Sequence, residues 1–502
     1  MRLDSVRLNA VVLISGAVLM ALEILGSRVL APSYGSSVYV WGSLISTFLF
    51  ALSFGYALGG KLADRRPSPR FLALLLAVGA VLILPSVLWA PKILETIGRA
   101  GWDPRWGALV AAFVLFLPPS VVLGMVTPFA VRLAIRGPET AGTVAGGYSA
   151  LSTAGSIAGT LATTFFLIPR FPVHSLLLGL SASLLLCAAI LMRGRGGLAI
   201  AMGGAAALAF AFLGQAAPHT IGGERVLIRK DTAYHHIAVT QLDSRRWMRF
   251  DTLTQSGVDL AHPERSLVGY DEALLAALAF RPGIRRVCVI GLGGGSFQRA
   301  FARLRPEAKI DTVEIDPVVR GLALEYFLYR ESDRMRTVIE DGRVFLAKPG
   351  PSYDLIVLDA FNSTGVPFHL TTREFFEIVR RRLSPDGIFA ANFVGQLMGK
   401  DGRLFWATYH TIRRQFGQVY VASWAIRAGR APSAGNLMVY ATVSADMLEI
   451  GEIQRRAAEL AARWNLENVA TYMDALVHAP NAPGGIPELS DAYAPVEALQ
   501  NF

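Results

Sequence analysis

Long apolar runs, separated by short basic loops, fill the chain up to about residue 216 and then give way to ordinary mixed sequence. A helix needs about 20 apolar residues to cross a bilayer. Seven stretches qualify: 8–31, 40–60, 70–90, 107–131, 142–168, 172–192 and the Ala- and Gly-rich 197–216. They account for a mean hydropathy of +0.42 and for 53% hydrophobic against 17% charged residues, well away from soluble usage. Arg2 and Arg7 before the first run imitate a secretory signal. No small-residue cleavage site follows and further spans do, so a retained first helix is expected.

The formal net charge of +10 is concentrated in the loops between these runs. Basic residues gather at the N-terminus, from Lys61 to Arg70, at Arg132 and Arg136, and at Arg193 and Arg195. Alternate loops carry fewer: Arg28, Lys92, Arg99, Arg105 and Arg170. That asymmetry is the positive-inside pattern, which places the N-terminus and the 61–70 loop in the cytoplasm and explains the charge better than a nucleic-acid partner does. The two cysteines, Cys187 in an apolar span and Cys288 in an apolar strand, support neither a disulfide framework nor a zinc site. Gly55, Gly59 and Gly60 have the small-residue spacing that lets helices approach closely. Glu23 and Arg28 fall in the first span, where an ionisable residue is either a packing partner or part of a functional path.

The texture after residue 218 is that of an α/β protein. Residues 219–284 form a β-rich region, with Thr232–Thr240 and Arg246–Phe250 reading as hairpin strands, then a helix from about Tyr270 to Phe280. From 285 to 502, strands alternate with helices: 287–290, 296–304, 309–314, 317–326, 337–340, 342–347, 355–358, 372–383 and 388–393. This predicts a doubly wound parallel sheet, so the expected fold is a multi-span helical membrane domain followed by a Rossmann-like domain with a small β-hairpin region before it.

Four polar tips mark four successive strand ends. The first strand runs into Gly291-Leu-Gly293-Gly294-Gly295-Ser296, whose glycines let the backbone approach a ligand at a helix N-terminus. Glu314 ends the second strand, where an acidic residue takes ribose hydroxyls. Asp341-Gly342 ends the third, where a carboxylate can accept from an adenine amino group. Asp359 ends the fourth. Any one of these carboxylates could be a helix cap, but caps have no reason to share one edge of a sheet. A dinucleotide fits less well than a lone nucleoside, because the third glycine of Gly-x-Gly-x-x-Gly is replaced by Ser296.

Gly291-Leu-Gly-Gly-Gly-Ser, Val313-Glu-Ile-Asp-Pro317, Asp341-Gly-Arg-Val-Phe345, Tyr353-Asp-Leu-Ile-Val-Leu-Asp-Ala-Phe361 and Pro367-Phe-His-Leu-Thr-Thr-Arg-Glu-Phe375 together resemble the spermidine synthase (polyamine aminopropyltransferase) family. Ser27–Ser37 and Gly55–Arg65 resemble the helical part of its membrane-fused bacterial branch. The resemblance implies an aminopropyltransferase that moves an aminopropyl group from decarboxylated S-adenosylmethionine to a putrescine-like diamine and releases methylthioadenosine, with no metal. It implies that Gln255, Gly291, Gly293, Gly295, Glu314, Asp341, Gly342 and Asp359 hold the nucleoside donor. Tyr270, His235 and Asp271 fall on the amine side, and Asp359, Asn362 and Asp271 on the catalytic centre. Expected partners are a small polyamine or amine and the lipid bilayer of the inner membrane, with a homodimer possible for the family and no nucleic acid.

The departures bear on the chemistry. The second aspartate of the family's Asp-x-x-Asp is Asn362, and the aspartate of Gly-Gly-Gly-Asp-Gly-Gly is lost, with Ser296 nearby. The glutamine of Tyr-Gln is His235 and the histidine of Tyr-His-Glu is Asp271. A free alkylamine has a pKa of about 10 and must lose a proton before it attacks, which asks for a carboxylate. Asp271, Asp251 or Asp259, or His235 acting near neutral pH, can supply that base. Two other readings stay open: an S-adenosylmethionine-dependent methyltransferase on an amphiphilic acceptor, and a non-catalytic nucleoside or polyamine sensor. Seven crossings would put the C-terminal domain outside, whereas a nucleoside made in the cytosol argues for the inside; a cytosolic domain is the expectation.

Overall fold

The structure is a computed structural model that describes residues 5–499 except 36–37, 101–102, 193–194, 214–219, 233, 252, 361–365, 396–401, 424–434, 445–447, 479, 481–483 and 495–498. Its contacts resolve into two compact units, Met1–His219 with Asp231–Ala233, and Thr220–Lys230 with Tyr234–Phe502.

The first unit is built of helices: α1 (Ser5–Tyr34), α2 (Val38–Arg65), α3 (Pro69–Leu88), α4 (Ala90–Arg99), α5 (Pro104–Gly124), α6 (Val126–Ala134), α7 (Ala141–Ala162), α8 (Val173–Leu191) and α9 (Arg195–Leu213). Among the described residues six segments are long and apolar enough to cross a membrane, by length and composition: Ser5–Tyr34, Val38–Arg65, Pro69–Leu88, Arg105–Ala134, Pro138–Leu167 and Val173–Leu191. They coincide with the first six expected stretches, and the seventh forms α9. Small residues set the helix spacing. A Cβ on Gly55 would meet the Val121 carbonyl oxygen at 2.5 Å, and one on Gly59 the Met125 Cα at 2.7 Å. Gly60 has nothing within 4 Å, so only two of the three glycines serve the α2–α5 approach.

The second unit opens with a five-stranded sheet in sequence order, β1 (Thr220–Ile221), β2 (Glu224–Asp231), β3 (His236–Leu242), β4 (Arg245–Phe250) and β5 (Leu253–Asp259). The expected hairpin is the β3–β4 pair, turned at Asp243 with φ 52°, and it belongs to this larger sheet. The expected helix over 270–280 is divided into α10 (Tyr270–Leu275) and α11 (Ala277–Phe280). At Ala276 the amide turns back to the carbonyl of Ala273, 3.0 Å away, and that tighter turn interrupts the α-helical ladder.

An alternating series follows: β6 (Arg286–Ile290), α12 (Ser296–Leu304), β7 (Lys309–Glu314), α13 (Pro317–Tyr326), β8 (Met335–Ile339), α14 (Gly342–Ala347), β9 (Tyr353–Leu358), α15 (Arg373–Arg382) and β10 (Leu383–Gly395). Then come α16 (Arg403–Gln415), β11 (Gln418–Ser423), β12 (Gly435–Thr442), α17 (Ile450–Trp464), α18 (Glu467–Met473) and β13 (Leu476–His478). The eight strands lie in the order β13-β11-β12-β10-β9-β6-β7-β8. From β10 to β8 the pairing is parallel, and β12, β11 and β13 add antiparallel. Val287 to Ile290 of β6 are all buried, as expected for a strand covered on both faces. The chain order reverses beside β6, whose neighbours are β7 and β9, and a ligand crevice belongs at such a switch point. An apolar cluster joins the two sheets: Ile237, Val239, Met248, Phe250 and Val258 of the smaller sheet pack with Leu292, Val319, Leu322, Phe327 and Tyr329. This contact carries β5 to the glycine turn after β6.

Candidate active site at the strand ends

The turn after β6 is shaped by three positive φ angles, 102° at Gly291, 53° at Gly293 and 72° at Gly295. These values suit glycine because a Cβ there is strained. Neighbouring atoms also fill the space: a Cβ on Gly293 or Gly295 would lie 2.5 Å from Ser256 Oγ or Tyr329 Cδ2. One on Gly291 would collide with the Asp359 carbonyl oxygen. The Ser256 hydroxyl on β5 accepts from the Gly294 amide at 2.8 Å, and Ser296 Oγ donates to the Gly257 carbonyl at 3.3 Å. The smaller sheet therefore holds the glycine turn.

The remaining strand ends are adjacent, as the sheet order requires. Glu314 closes β7 and is buried. Its two oxygens accept from the amides of Leu292 at 3.0 Å and Asp316 at 2.9 Å, which ties β7 to the turn. Burial nevertheless raises its carboxyl to about 7 against those hydrogen bonds. Asp341 follows β8 and caps α14, accepting through Oδ1 from the amides of Arg343 and Val344 at 2.9 and 3.0 Å. Its Oδ2 lies 2.9 Å from His369 Nε2. So Asp341 is both a helix cap and a tip on the shared edge. Gly342, next in line, packs against Ile290, where a Cβ would collide.

Asp359 ends β9. Its Oδ1 accepts from Asn392 Nδ2 at 3.1 Å, and Asn392 is itself held by Asn436 at 2.9 Å. Burial raises its carboxyl to about 7, the Asn392 hydrogen bond opposes that, and the charge of Asp271 adds to it. Asp271, in the first turn of α10, is buried and accepts from Ser266 Oγ and from the Glu272 amide. Burial holds its carboxyl up at about 6. Tyr270 donates to the Gln255 carbonyl at 2.7 Å. Its hydroxyl is pushed well above its ordinary range by burial and by the charges of Asp359 and Asp271. His235 is buried and stacks on Phe250, ring centroids 4.1 Å apart and 14° between planes, at the edge of the cluster joining the two sheets. Asn362 lies outside the described residues. Among the described residues no group of three or more His, Cys, Asp or Glu is placed to hold a metal ion.

The expected residues on the glycine turn, Glu314, Asp341 and Asp359 are thus brought to one edge, with Tyr270 and Asp271 within electrostatic reach of Asp359. Residues 268–427 match the spermine/spermidine synthase domain. A polyamine aminopropyltransferase of Vibrio vulnificus is 34% identical over 211 residues, 40% of this chain and 69% of that protein. The chain belongs to the spermine/spermidine synthase family. It is a transferase. A polyamine aminopropyltransferase of Chromobacterium violaceum is 32% identical over 217 residues, 42% of this chain and 78% of that protein. Among solved structures, a probable spermidine synthase from Corynebacterium glutamicum is similar at 19% identity, covering 53% of this chain and 95% of that one with a TM-score of 0.42.

Sequence reasoning missed the residues that support the tips. Asn392 was legible as a polar residue inside the buried run Ile388-Phe-Ala-Ala-Asn392-Phe. Ser256 and His369 carry no such signal, because each acts on a partner 38 or 28 residues away.

Proposed function

We propose that the chain is an aminopropyltransferase that uses decarboxylated S-adenosylmethionine and a putrescine-like diamine. Glu314 binds the ribose hydroxyls, Asp341 the adenine amino group, and the turn around Gly293 lies against the methionine-derived part. Asp359 binds the attacking ammonium and takes its proton; the nitrogen then attacks the methylene beside the sulfonium, and the C–S electron pair leaves with methylthioadenosine. The observation that carries this reading is Asp359, a half-buried carboxyl at the end of β9 that accepts from Asn392 at 3.1 Å and is pushed up to about 7 by burial, where it can both pair with a cation and act as a base at neutral pH. Asp271 and Asn362 are assigned with it to the catalytic centre, Gln255 to the donor, and Tyr270 and His235 to the amine side. The helical unit crosses the inner membrane and the transferase unit faces the cytosol.

One observation favours a second reading. The glycine turn lacks the family aspartate that ordinarily holds the donor ammonium, with Ser296 nearby, which weakens selection for the decarboxylated donor and keeps S-adenosylmethionine-dependent methyl transfer as the alternative. The test is methylthioadenosine release from decarboxylated donor and putrescine by the detergent-solubilised full chain. Release is expected to rise in Asn362→Asp and to fall in Asp271→Asn. Absence of release from both the native protein and Asn362→Asp, with tight binding of intact S-adenosylmethionine, defeats aminopropyl transfer.

A further inference from the structure

Beside the glycine turn, between α10 and α12, is a cavity of about 330 Å³ whose lining includes Asp271, Ser266, Ser296, Arg299 and Arg303. Ser296 joins it to the donor crevice, since it lines the cavity and directly follows the turn. Arg299 and Arg303 stand one helical turn apart on α12, so two guanidinium groups share one face. Arg299 donates to the Pro263 carbonyl at 3.3 Å. Arg303 has no hydrogen-bond or ion-pair partner among the described residues, and the Nε of each is buried without an acceptor among them. Two like charges placed together and partly withdrawn from water are costly without an anion. Burial and the neighbouring Arg303 both act to lower the proton affinity of Arg299, while Asp271 opposes them.

Three carboxylates, Glu264, Asp271 and Glu272, also line the cavity, yet among the described residues none forms an ion pair with Arg299 or Arg303, and Glu264 faces His262 at 3.6 Å. Asp271 is engaged by Ser266 and by the Glu272 amide. Glu272 is engaged by the backbone and side-chain amides of Asn468 at 3.2 and 3.0 Å. The cavity therefore offers planar cationic donors on one wall and a buried carboxylate on the other. Guanidinium forks match a carboxylate in geometry, and Asp271 matches an ammonium. A plain diamine, cationic at both ends, would meet two arginines.

We propose that this cavity is a subsite for an amino-acid head group, its carboxylate bound by Arg299 and Arg303 and its ammonium by Asp271. The inference rests on the nucleoside crevice and transferase reading above, and deepens it by naming the substrate class. The head group has two possible sources, a donor that keeps its carboxyl group or an acceptor that is a diamino acid. With the first, the same displacement transfers a 3-amino-3-carboxypropyl group. The N–C bond forms at the methylene beside the sulfonium, the C–S bond breaks, methylthioadenosine leaves with the electron pair, and the amine proton passes to Asp359.

The test is equilibrium binding to the detergent-solubilised full chain and to its Arg299→Gln and Arg303→Gln variants. Two pairs differ by one carboxylate: S-adenosylmethionine against its decarboxylated form, and ornithine against putrescine in the presence of methylthioadenosine. In at least one pair the carboxylated member binds more tightly, and each variant weakens that member by about tenfold or more. Methylthioadenosine, which has no head group, binds all three proteins alike and reports that the variants are folded. Tighter S-adenosylmethionine assigns the site to the donor, and tighter ornithine assigns it to the acceptor. Equal binding within both pairs, or carboxylate preference untouched by both variants, overturns the proposal. Methylthioadenosine failing to bind the native chain would bring down the nucleoside crevice instead, and ornithine against putrescine would still decide the head group.

Discussion

Asp359 sits where two demands on a carboxyl conflict. Burial favours its protonated form, whereas the proposed pairing with an amine and removal of its proton require the charged form. With the carboxyl at about 7, turnover should rise with pH through that value and level off above it. Asp359→Asn should lower kcat by about a hundredfold or more, measured as methylthioadenosine release. Stability should move the opposite way. A carboxyl raised from 3.8 to about 7 binds its proton more tightly folded than unfolded. Its contribution is unfavourable, absent below the unfolded value and complete above the folded one. Chemical denaturation should therefore show Asp359→Asn more stable than the native chain at pH 8, by up to about 4 kcal/mol, and little different at pH 4. Identical pH dependence in the two proteins would mean that Asp359 is charged and satisfied throughout. Glu314→Ala and Asp341→Ala test the nucleoside tips. Each loses a hydrogen bond to a charged group worth about 1.5–3 kcal/mol, so calorimetry should show methylthioadenosine affinity down roughly tenfold to a hundredfold. Unchanged affinity in both would displace the crevice from this edge.

The glycine turn shows how an element rather than a residue holds the site. Gly295 combines φ 72° with a neighbouring Tyr329 ring 2.5 Å from where a Cβ would lie. Gly295→Ala should cost about 1–3 kcal/mol from backbone strain alone, with the Tyr329 contact adding to it, read as a lower denaturation midpoint. A midpoint equal to native would show that the turn relaxes without penalty. Much of this element was readable in advance, because a buried strand, three glycines and a helix leave few other conformations. The end of β7 at Glu314 and the whole of α13 were likewise fixed by local pattern. What the pattern could not give was every contact made across sequence distance. The five-stranded sheet was visible only as a hairpin, since β1 has two residues and β2, though eight residues long, carries no strong alternation. The division of the 270–280 helix was also hidden, because Ala276 is an excellent helix former and the turn there is a tertiary effect. Asp341 illustrates a third limit: the sequence offered cap and adenine reader as alternatives, and one oxygen caps α14 while the other reaches His369.

At the scale of the whole molecule, the helical unit and the transferase unit each have their own apolar core. Residues 220–502 made alone should therefore be soluble and bind methylthioadenosine within about threefold of the full chain, a difference smaller than one ordinary hydrogen bond. Aggregation of that fragment under conditions that keep the full chain folded would show that the second unit depends on the first. The count of crossings decides where that unit works. With the N-terminus and the Lys61–Arg70 loop in the cytosol, as their basic residues lead us to propose, each added span reverses the side. Six helices meet the length and hydropathy needed to cross, among the described residues. An even number returns the chain to the side on which it began. A seventh crossing by α9 (Arg195–Leu213) would instead leave the transferase unit away from the cytosolic pool of the proposed nucleoside donor. The expected result is six crossings, so that a fluorescent protein fused after Phe502 folds and fluoresces in the cytosol, while a periplasm-dependent phosphatase fused at the same point stays inactive. Active phosphatase with no fluorescence would mean that α9 crosses as well, and the donor would then have to be found or delivered outside the inner membrane.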